Sequence, residues 1–98
     1  MLSREQKKHL RSLAHGRGVI LRIGQNGLTD NVLAELDQAL NHHELVKISI
    51  RVGDREARDA IVAAMAEHSG AEPVQKIGNT VVLYRRNRER PVIPLPGN

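Results

Sequence analysis

The segment 46–52 reads VKISIRV and alternates strictly between apolar and polar side chains. Because successive side chains of a strand point to opposite faces, its valines and isoleucines share one face and Lys47, Ser49 and Arg51 share the other. A strand in a doubly wound sheet would be apolar on both faces, whereas a two-layer sandwich leaves one face to water. The alternation therefore predicts an α/β two-layer sandwich in which the helices pack on one face of the sheet.

Helix caps and hydrophobic spacing predict the element order α-β-α-β-α-β-β along the chain. Ser3 and Gln6 have capping-box spacing, and Thr29 and Asp54 are typical N-cap residues for two further helices. The Gly-Asn pair at 78–79 is a two-residue turn that should close an antiparallel hairpin. The predicted helices cover residues 3–16, 29–43 and 54–70, and the predicted strands cover residues 19–23, 46–52, 74–77 and 80–85.

A short loop bracketed by Gly24 and Gly27 joins the first strand to the second helix. Glycine accepts positive φ angles and lets a ligand approach the backbone closely. The helix N-terminus directly behind the loop offers unpaired N–H groups and the positive end of the helix dipole. The segment is therefore suited to hold a phosphate. A simple tight turn is the alternative, because a G-x-x-G spacing also arises by chance in a chain of this length.

Positive charge is concentrated at the two ends of the chain. The formal net charge is +4 and the isoelectric point is about 10.1. Residues 1–28 carry six cations against one anion, residues 29–72 carry four against nine, and residues 73–98 carry five against one. A fold that brings the ends together would build one face able to bind a polyanion. The alternative is a solvated surface that only keeps the protein soluble.

The residue types argue against an active site or a metal centre. The chain has no cysteine, and His42 and His43 are adjacent, whereas a zinc-binding helix places its ligands at i and i+4. The serines lack the context of a nucleophile elbow, and the glycine loop lacks the Lys-Ser/Thr of a Walker A motif. We therefore expect a protein that is not an enzyme and that uses no metal, cofactor or small-molecule substrate.

The chain is expected to form one domain over residues 1–86, followed by a basic, proline-rich flexible tail over residues 87–98. Three prolines between positions 91 and 96 preclude a helix there. The longest apolar run, residues 60–66, is too short to cross a bilayer. With no cysteine to suggest an oxidising compartment, we expect a monomeric cytoplasmic protein that does not contact membranes.

Nucleic acid is the polyanion that these residues fit. Tyr84 is the only Phe, Trp or Tyr in the chain, so base stacking cannot be the main mode of binding. Cationic side chains and loop N–H groups favour binding through phosphates, with strong salt dependence and modest sequence preference. KH domains clamp a nucleotide backbone with a G-x-x-G loop in this way, although their order of helices and strands differs.

Five stretches in this order and at these spacings resemble the CRM domain, named for chloroplast RNA splicing and ribosome maturation, and in particular its free-standing bacterial YhbY-like members. The stretches are LRSLAH at 10–15, GQNGLT at 24–29, HHELVKI at 42–48, DRE at 54–56 and IGNTVVLYR at 77–85. The resemblance implies a four-stranded mixed sheet like that of the C-terminal domain of translation initiation factor three. It also implies an RNA-binding protein that associates with precursors of the large ribosomal subunit and touches RNA with its glycine loop.

The residues expected to contact ribosomal RNA are those of the loop and the cations of the basic segments. They are Gly24, Gln25, Asn26, Gly27, Lys7, Lys8, Arg11, Arg22, Lys47, Arg51, Arg85 and Arg86. A second hypothesis is a protein interaction module, in which the basic face and the proline-rich tail dock on an acidic or ribosomal protein.

Overall fold

The computed structural model describes residues 1–97 and contains three helices and one four-stranded mixed sheet in the predicted order. The elements are α1 (Arg4–His15), β1 (Leu21–Ile23), α2 (Asp30–His43), β2 (Leu45–Ile50), α3 (Arg55–Ser69), β3 (Glu72–Ile77) and β4 (Thr80–Tyr84). The strand order is β1-β2-β4-β3, with β1 parallel to β2 and the other pairs antiparallel. These findings confirm the α/β class and the mixed sheet. None of the helices within residues 1–97 is long and apolar enough to span a membrane.

Local side-chain chemistry sets where the helices begin. The Ser3 hydroxyl accepts a hydrogen bond from the Gln6 N–H at 3.1 Å, and the Gln6 side chain accepts one from the Ser3 N–H at 3.0 Å, which completes the predicted capping box. The Thr29 side chain accepts a hydrogen bond from the N–H of Val32, and the Asp54 side chain accepts one from the N–H of Ala57. Each donor is the third residue of its helix, so the two side chains cap α2 and α3. The N-termini of the three helices are therefore specified by short-range contacts that can be predicted from the sequence.

The larger core lies between one face of the sheet and the pair α2 and α3. Leu36, Leu40 and Met65 from the helices are fully buried against Ile48 and Leu83 of the sheet. At about 25 cal/mol per Å² of apolar surface removed from water, each such side chain contributes roughly 1.5–3 kcal/mol. This is the face that the alternation in β2 predicted to be apolar.

Helix α1 packs on the opposite face of the sheet, and here the structure differs from the expectation that all helices share one face. Its Leu10 and Ala14 join a second buried cluster with Leu45, Val82 and Tyr84 of the strands. The physical reason lies in β4, which is apolar at four successive positions and so presents apolar side chains to both faces. The alternation in β2 predicted that this second face is open to water. That holds only for the half that α1 does not cover.

The C-terminal segment, expected to be flexible, is packed against α1 in the described residues 87–97. Ile93 is buried in the same cluster as Leu10, and the Gln6 side-chain amide donates to the Pro96 carbonyl oxygen at 3.1 Å. The segment therefore contributes to the second core instead of extending into water. The three prolines do not prevent this, because an extended chain can pack against a helix without forming a helix itself.

The buried side chain of Glu44 holds the C-terminal segment in place through hydrogen bonds. Its side chain is fully buried, and its carboxylate accepts backbone hydrogen bonds from Asn87 at 2.7 Å, Val92 at 2.8 Å and Ile93 at 2.6 Å. Burial of a carboxylate is costly unless hydrogen bonds replace its water shell, and these three donors supply that replacement. Glu44 also adopts φ of +62° at the end of α2, a strained conformation for any residue except glycine.

Replacing Glu44 with Gln should lower the free energy of unfolding by roughly 2 kcal/mol or more, because the amide removes the charge and replaces one acceptor oxygen with a donor. Urea denaturation monitored by circular dichroism measures the loss. Glu67→Gln, at an exposed position of α3, is the matched control and should change stability by less than about 0.5 kcal/mol. Equal stability of the two variants would contradict the anchoring role of Glu44.

Tyr84→Phe should leave stability at neutral pH unchanged or raise it by about 1 kcal/mol, because the buried Tyr84 hydroxyl has no hydrogen-bond partner among residues 1–97. Burial raises the pKa of Tyr84, the Glu44 carboxylate raises it further, and Arg86 opposes both. The folded state therefore holds the phenol proton more tightly than the unfolded state, so stability falls as the pH rises above the ordinary value of 10.0.

Urea titrations at neutral pH and at about pH 11 measure this difference. The loss of stability between the two pH values should be smaller in Tyr84→Phe than in the wild-type protein. A variant with the same alkaline loss as wild type would assign that loss to other groups.

Candidate nucleic-acid interface

The glycine loop forms a tight turn at the end of β1. The Gly27 N–H donates to the Gly24 carbonyl oxygen at 3.0 Å, and Gln25 and Asn26 between them are exposed. Gly27 adopts φ of +65°, and a Cβ added there would meet no atom within 4 Å. Glycine is thus favoured at this position by backbone conformation and not by lack of space. The capped N-terminus of α2 follows directly.

Half of one sheet face is left uncovered beside this turn, and we call it the open face. It is the half of the α1 side of the sheet that α1 does not reach, and strand register places Arg22 beside Ser49 and Ser49 beside Thr80 on it. Strand register assigns to the open face Arg22, Lys47, Ser49, Gln75, Ile77 and Thr80. Ser49 is itself buried between its neighbours, and Arg51 follows directly after the end of β2. The Arg51 N–H donates to the Ile23 carbonyl oxygen at 2.8 Å, so the glycine turn borders the open face directly.

Helix α1 turns a cationic flank toward the open face. At about 100° per residue, four cations fall within a sector of about 100° on one flank of the helix, and Glu5 lies about 60° outside it, next to Lys8. The four are Arg4, Lys7, Lys8 and Arg11. The opposite flank of α1 is occupied by the C-terminal segment, through the contact of Gln6 with Pro96. On the cationic side, His15 and Lys47 line a cavity of about 260 Å³ over the sheet, so helix and open face form one continuous surface.

Two of the cations predicted to bind RNA are engaged within the fold on this surface. The Lys47 ammonium group donates to the carbonyl oxygens of Ala14 and Arg17, each at 3.3 Å, and so satisfies the C-terminal end of α1. The Lys7 ammonium group lies 3.3 Å from the Glu72 carboxylate. Lys8, Arg11, Arg22 and Arg51 form no ion pair within residues 1–97, which leaves their charges available to a ligand.

Arg85 has a structural position that the sequence analysis did not anticipate. Its guanidinium donates to the Asp37 carboxylate at 3.0 Å, to the Ser69 carbonyl oxygen at 2.8 Å and to the Asn41 side chain at 3.0 Å. These contacts join the C-terminal parts of α2 and α3, and they occupy the donors that a phosphate would need. Arg85 therefore serves the fold and is not presented to a ligand in this structure.

The structure also separates Arg86 from the glycine turn. β4 runs antiparallel to β2, and Tyr84 at its end pairs with Leu45 at the start of β2. The glycine turn instead follows Ile23, which pairs with Ile50 at the other end of β2. Arg86 thus lies at the opposite end of the sheet from the turn. Lys7 lies toward the same end, because its partner Glu72 pairs with Tyr84 and lines a cavity with Arg86. The predicted residues therefore do not form one cluster: Lys7 and Arg86 lie at the end of the sheet opposite the glycine turn, and Arg85 is internal.

Sequence reasoning missed two residues of the α1 flank, Arg4 and His15. The signal was present, because both share the helical spacing of Lys8 and Arg11. Tyr84 is 5% exposed, so the chain presents no Phe, Trp or Tyr surface on which a base could stack.

Comparison with known proteins finds relatives that align with this chain over most of both lengths. A protein from Haemophilus influenzae named an RNA-binding protein is 46% identical over 88 residues, which cover 90% of this chain and 89% of the relative. A Bacillus subtilis protein named a probable RNA-binding protein is 38% identical over 96 residues, covering 98% of this chain and 100% of the relative.

A solved structure supports the same placement. The solution structure of a hypothetical protein from Staphylococcus aureus, described as a candidate RNA-binding protein, superposes with a TM-score of 0.82 at 34% identity and covers 98% of this chain and 100% of that one. The sequence model of the CRS1/YhbY (CRM) domain matches residues 2–85, nearly the whole chain. This chain is therefore a member of the CRS1/YhbY (CRM) domain family.

Proposed function

We propose that this protein binds RNA through phosphates and assists the assembly of the large ribosomal subunit. The observation that carries the proposal is the meeting of the glycine turn with Arg22 and Arg51 at one end of the open face, where neither arginine has an acidic partner within residues 1–97. Relatives named as RNA-binding proteins point to the same ligand.

In this proposal the interface works by charge and backbone donors. Gly24 and Gly27 shape the turn, and Gln25 and Asn26 hydrogen bond to the RNA backbone. Cations without an internal partner neutralise phosphates along it. They are Arg22 and Arg51 beside the turn and Lys8 and Arg11 on α1. Contacts of this kind position RNA without reading its bases, so recognition depends on RNA shape and on the spacing of phosphates. The protein then acts by holding RNA, with no catalytic step.

The ribosomal target is supported by family membership and by the requirements of the surface. A face built from a turn, a sheet and a helix flank fits folded RNA that presents several phosphates at once. Precursors of the large subunit in the cytoplasm supply such RNA. Sedimentation of a cell lysate at low and moderate salt, with detection of this protein in each fraction, tests the assignment. Comigration with large-subunit precursors and release as salt rises is the expected result, and a protein that stays at the top of the gradient at low salt would refute it.

A protein partner for the tail is the second candidate, and Val92 favours it. This side chain is 51% exposed and lies beside Pro91. Val92→Ser removes the apolar surface and keeps the backbone N–H that bonds to Glu44. Loss of particle association with unchanged RNA affinity would favour a protein contact there. Truncation of the tail is a poor test, because it would also remove the buried Ile93.

Gly27→Asp should weaken RNA binding by roughly tenfold or more, because it places a carboxylate where phosphates are expected to approach. Gly27→Asn is the matched control: Asn and Asp have the same shape, both tolerate positive φ, and only Asp is charged. Titration of labelled ribosomal RNA fragments measures both affinities, and circular dichroism verifies the fold. Equal affinity of the two variants would remove the turn from the interface.

Lys8→Glu should reduce the slope of log affinity against log salt by about one or more, because a phosphate contact and its released counterion are lost. Arg55→Glu is the control, since it makes the same change in net charge at an exposed position in the first turn of α3. Binding titrations over a range of salt concentrations give the slopes. Identical slopes for the two variants would mean that only net charge matters and would exclude α1 from the interface.

A further inference from the structure

The segment after β4 forms a second basic feature, which we call the arginine turn and define as residues 86–90. Its Asn87 side chain accepts hydrogen bonds from the N–H groups of Glu89 at 3.2 Å and Arg90 at 3.1 Å, and donates to the Asn41 carbonyl oxygen at 2.9 Å. The Asn87 N–H is held by the buried Glu44 carboxylate. The backbone of the turn is therefore fixed from both sides.

The arginines of this turn are exposed and have no acidic partner. Arg86, Arg88 and Arg90 are all exposed, and none forms an ion pair within residues 1–97. Arg86 and Arg88 together line two open cavities of about 410 Å³ and 490 Å³. The carboxylate of Glu72 lines the first cavity, where it is paired with Lys7. Glu89 lines the second cavity, so cations exceed acids on the turn.

The arginine turn lies at the end of the sheet opposite the glycine turn. Tyr84, just before it, pairs with the start of β2, whereas the glycine turn borders the end of β2. The N-terminal part of α1 and the C-terminal segment border the arginine turn, because Gln6 and Leu95 line a cavity with Arg86 and Arg88. The open face instead meets the C-terminal part of α1, through Ala14 and His15. The molecule is 39 Å along its longest axis. One phosphate group therefore cannot contact both places.

We propose that the arginine turn is a second RNA-binding site, so that one molecule contacts two separate segments of folded RNA. This inference rests on the RNA binding proposed above and extends it. Arginine favours this ligand, because its planar guanidinium forms paired hydrogen bonds with phosphate oxygens. A turn already fixed in the free protein loses little conformational entropy when it binds. An acidic protein is the competing partner, and the experiment below distinguishes it.

Tethered cleavage maps the two contacts on one RNA. The natural chain has no cysteine, so a single cysteine can carry an iron chelate that cuts nearby RNA with hydroxyl radicals. Asn31→Cys places the reagent beside the glycine turn and Glu89→Cys places it on the arginine turn, while Ala63→Cys on the exposed side of α3 is the control. The probe is purified bacterial large-subunit ribosomal RNA.

Two sets of cuts in different RNA segments, one from position 31 and one from position 89, are the expected result. Adding Arg86→Glu and Arg88→Glu should weaken the cuts from position 89 several-fold and leave those from position 31 in place. Arg88→Glu should also lower RNA affinity several-fold more than Arg55→Glu, which makes the same change in net charge.

Several results would overturn the inference. Cuts from position 31 alone, or identical cuts from both positions, would leave the proposed RNA binding intact and remove the second site. Normal RNA affinity of the Arg86→Glu, Arg88→Glu variant with loss of particle association would assign the turn to an acidic protein. Absence of cuts from all positions would refute RNA binding by this protein altogether.

Discussion

The buried carboxylate of Glu44 is the interaction on which the arrangement of the surface depends. Glu44 lies at the junction of α2 and β2. Its backbone carbonyl oxygen accepts a hydrogen bond from the Arg85 N–H, and its carboxylate accepts three from backbone N–H groups of the C-terminal segment. A buried charge must be fully satisfied, so these donors are held to one geometry. The segment then packs on one flank of α1, and α1 in turn covers only half of the sheet face.

The cations of the chain divide into two groups that composition cannot separate. The side chains of Arg85 and Lys47 donate hydrogen bonds to backbone carbonyl oxygens at or near the C-terminal ends of helices. Those carbonyl oxygens include groups that the helix itself leaves without a donor. Arg22 on β1 and Arg51 just after the end of β2 are exposed, and no acid neutralises them within residues 1–97. A charge that is already hydrogen bonded inside the fold contributes little to an external phosphate. The proposed binding surface is therefore smaller and more localised than the basic composition suggests.

Much of the fold was predictable because its signals are short in range. The capping box of Ser3 and Gln6, the glycine turn and the hairpin at 78–79 each involve residues within a few positions of one another. The face assigned to α1 was not predictable from β2 alone. The four successive apolar residues of β4 point to both faces of the sheet, which indicates that both faces are covered there. That inference requires knowing that β4 lies beside β2 in the sheet. The packing of Ile93 had no local signal at all.

The amino-acid sequence by itself determined the element order, the helix caps, the position of the glycine turn and the absence of a stacking platform. Each of these follows from backbone preferences or side-chain types that act over a few residues. Only the tertiary structure decided that α1 and the C-terminal segment share one face of the sheet, that Arg85 is internal, and that Arg86 lies far from the turn. Those outcomes depend on strand pairing and on one buried carboxylate, which join residues more than thirty positions apart. Interactions of that range are set by the packing of the whole domain, and no local pattern encodes them.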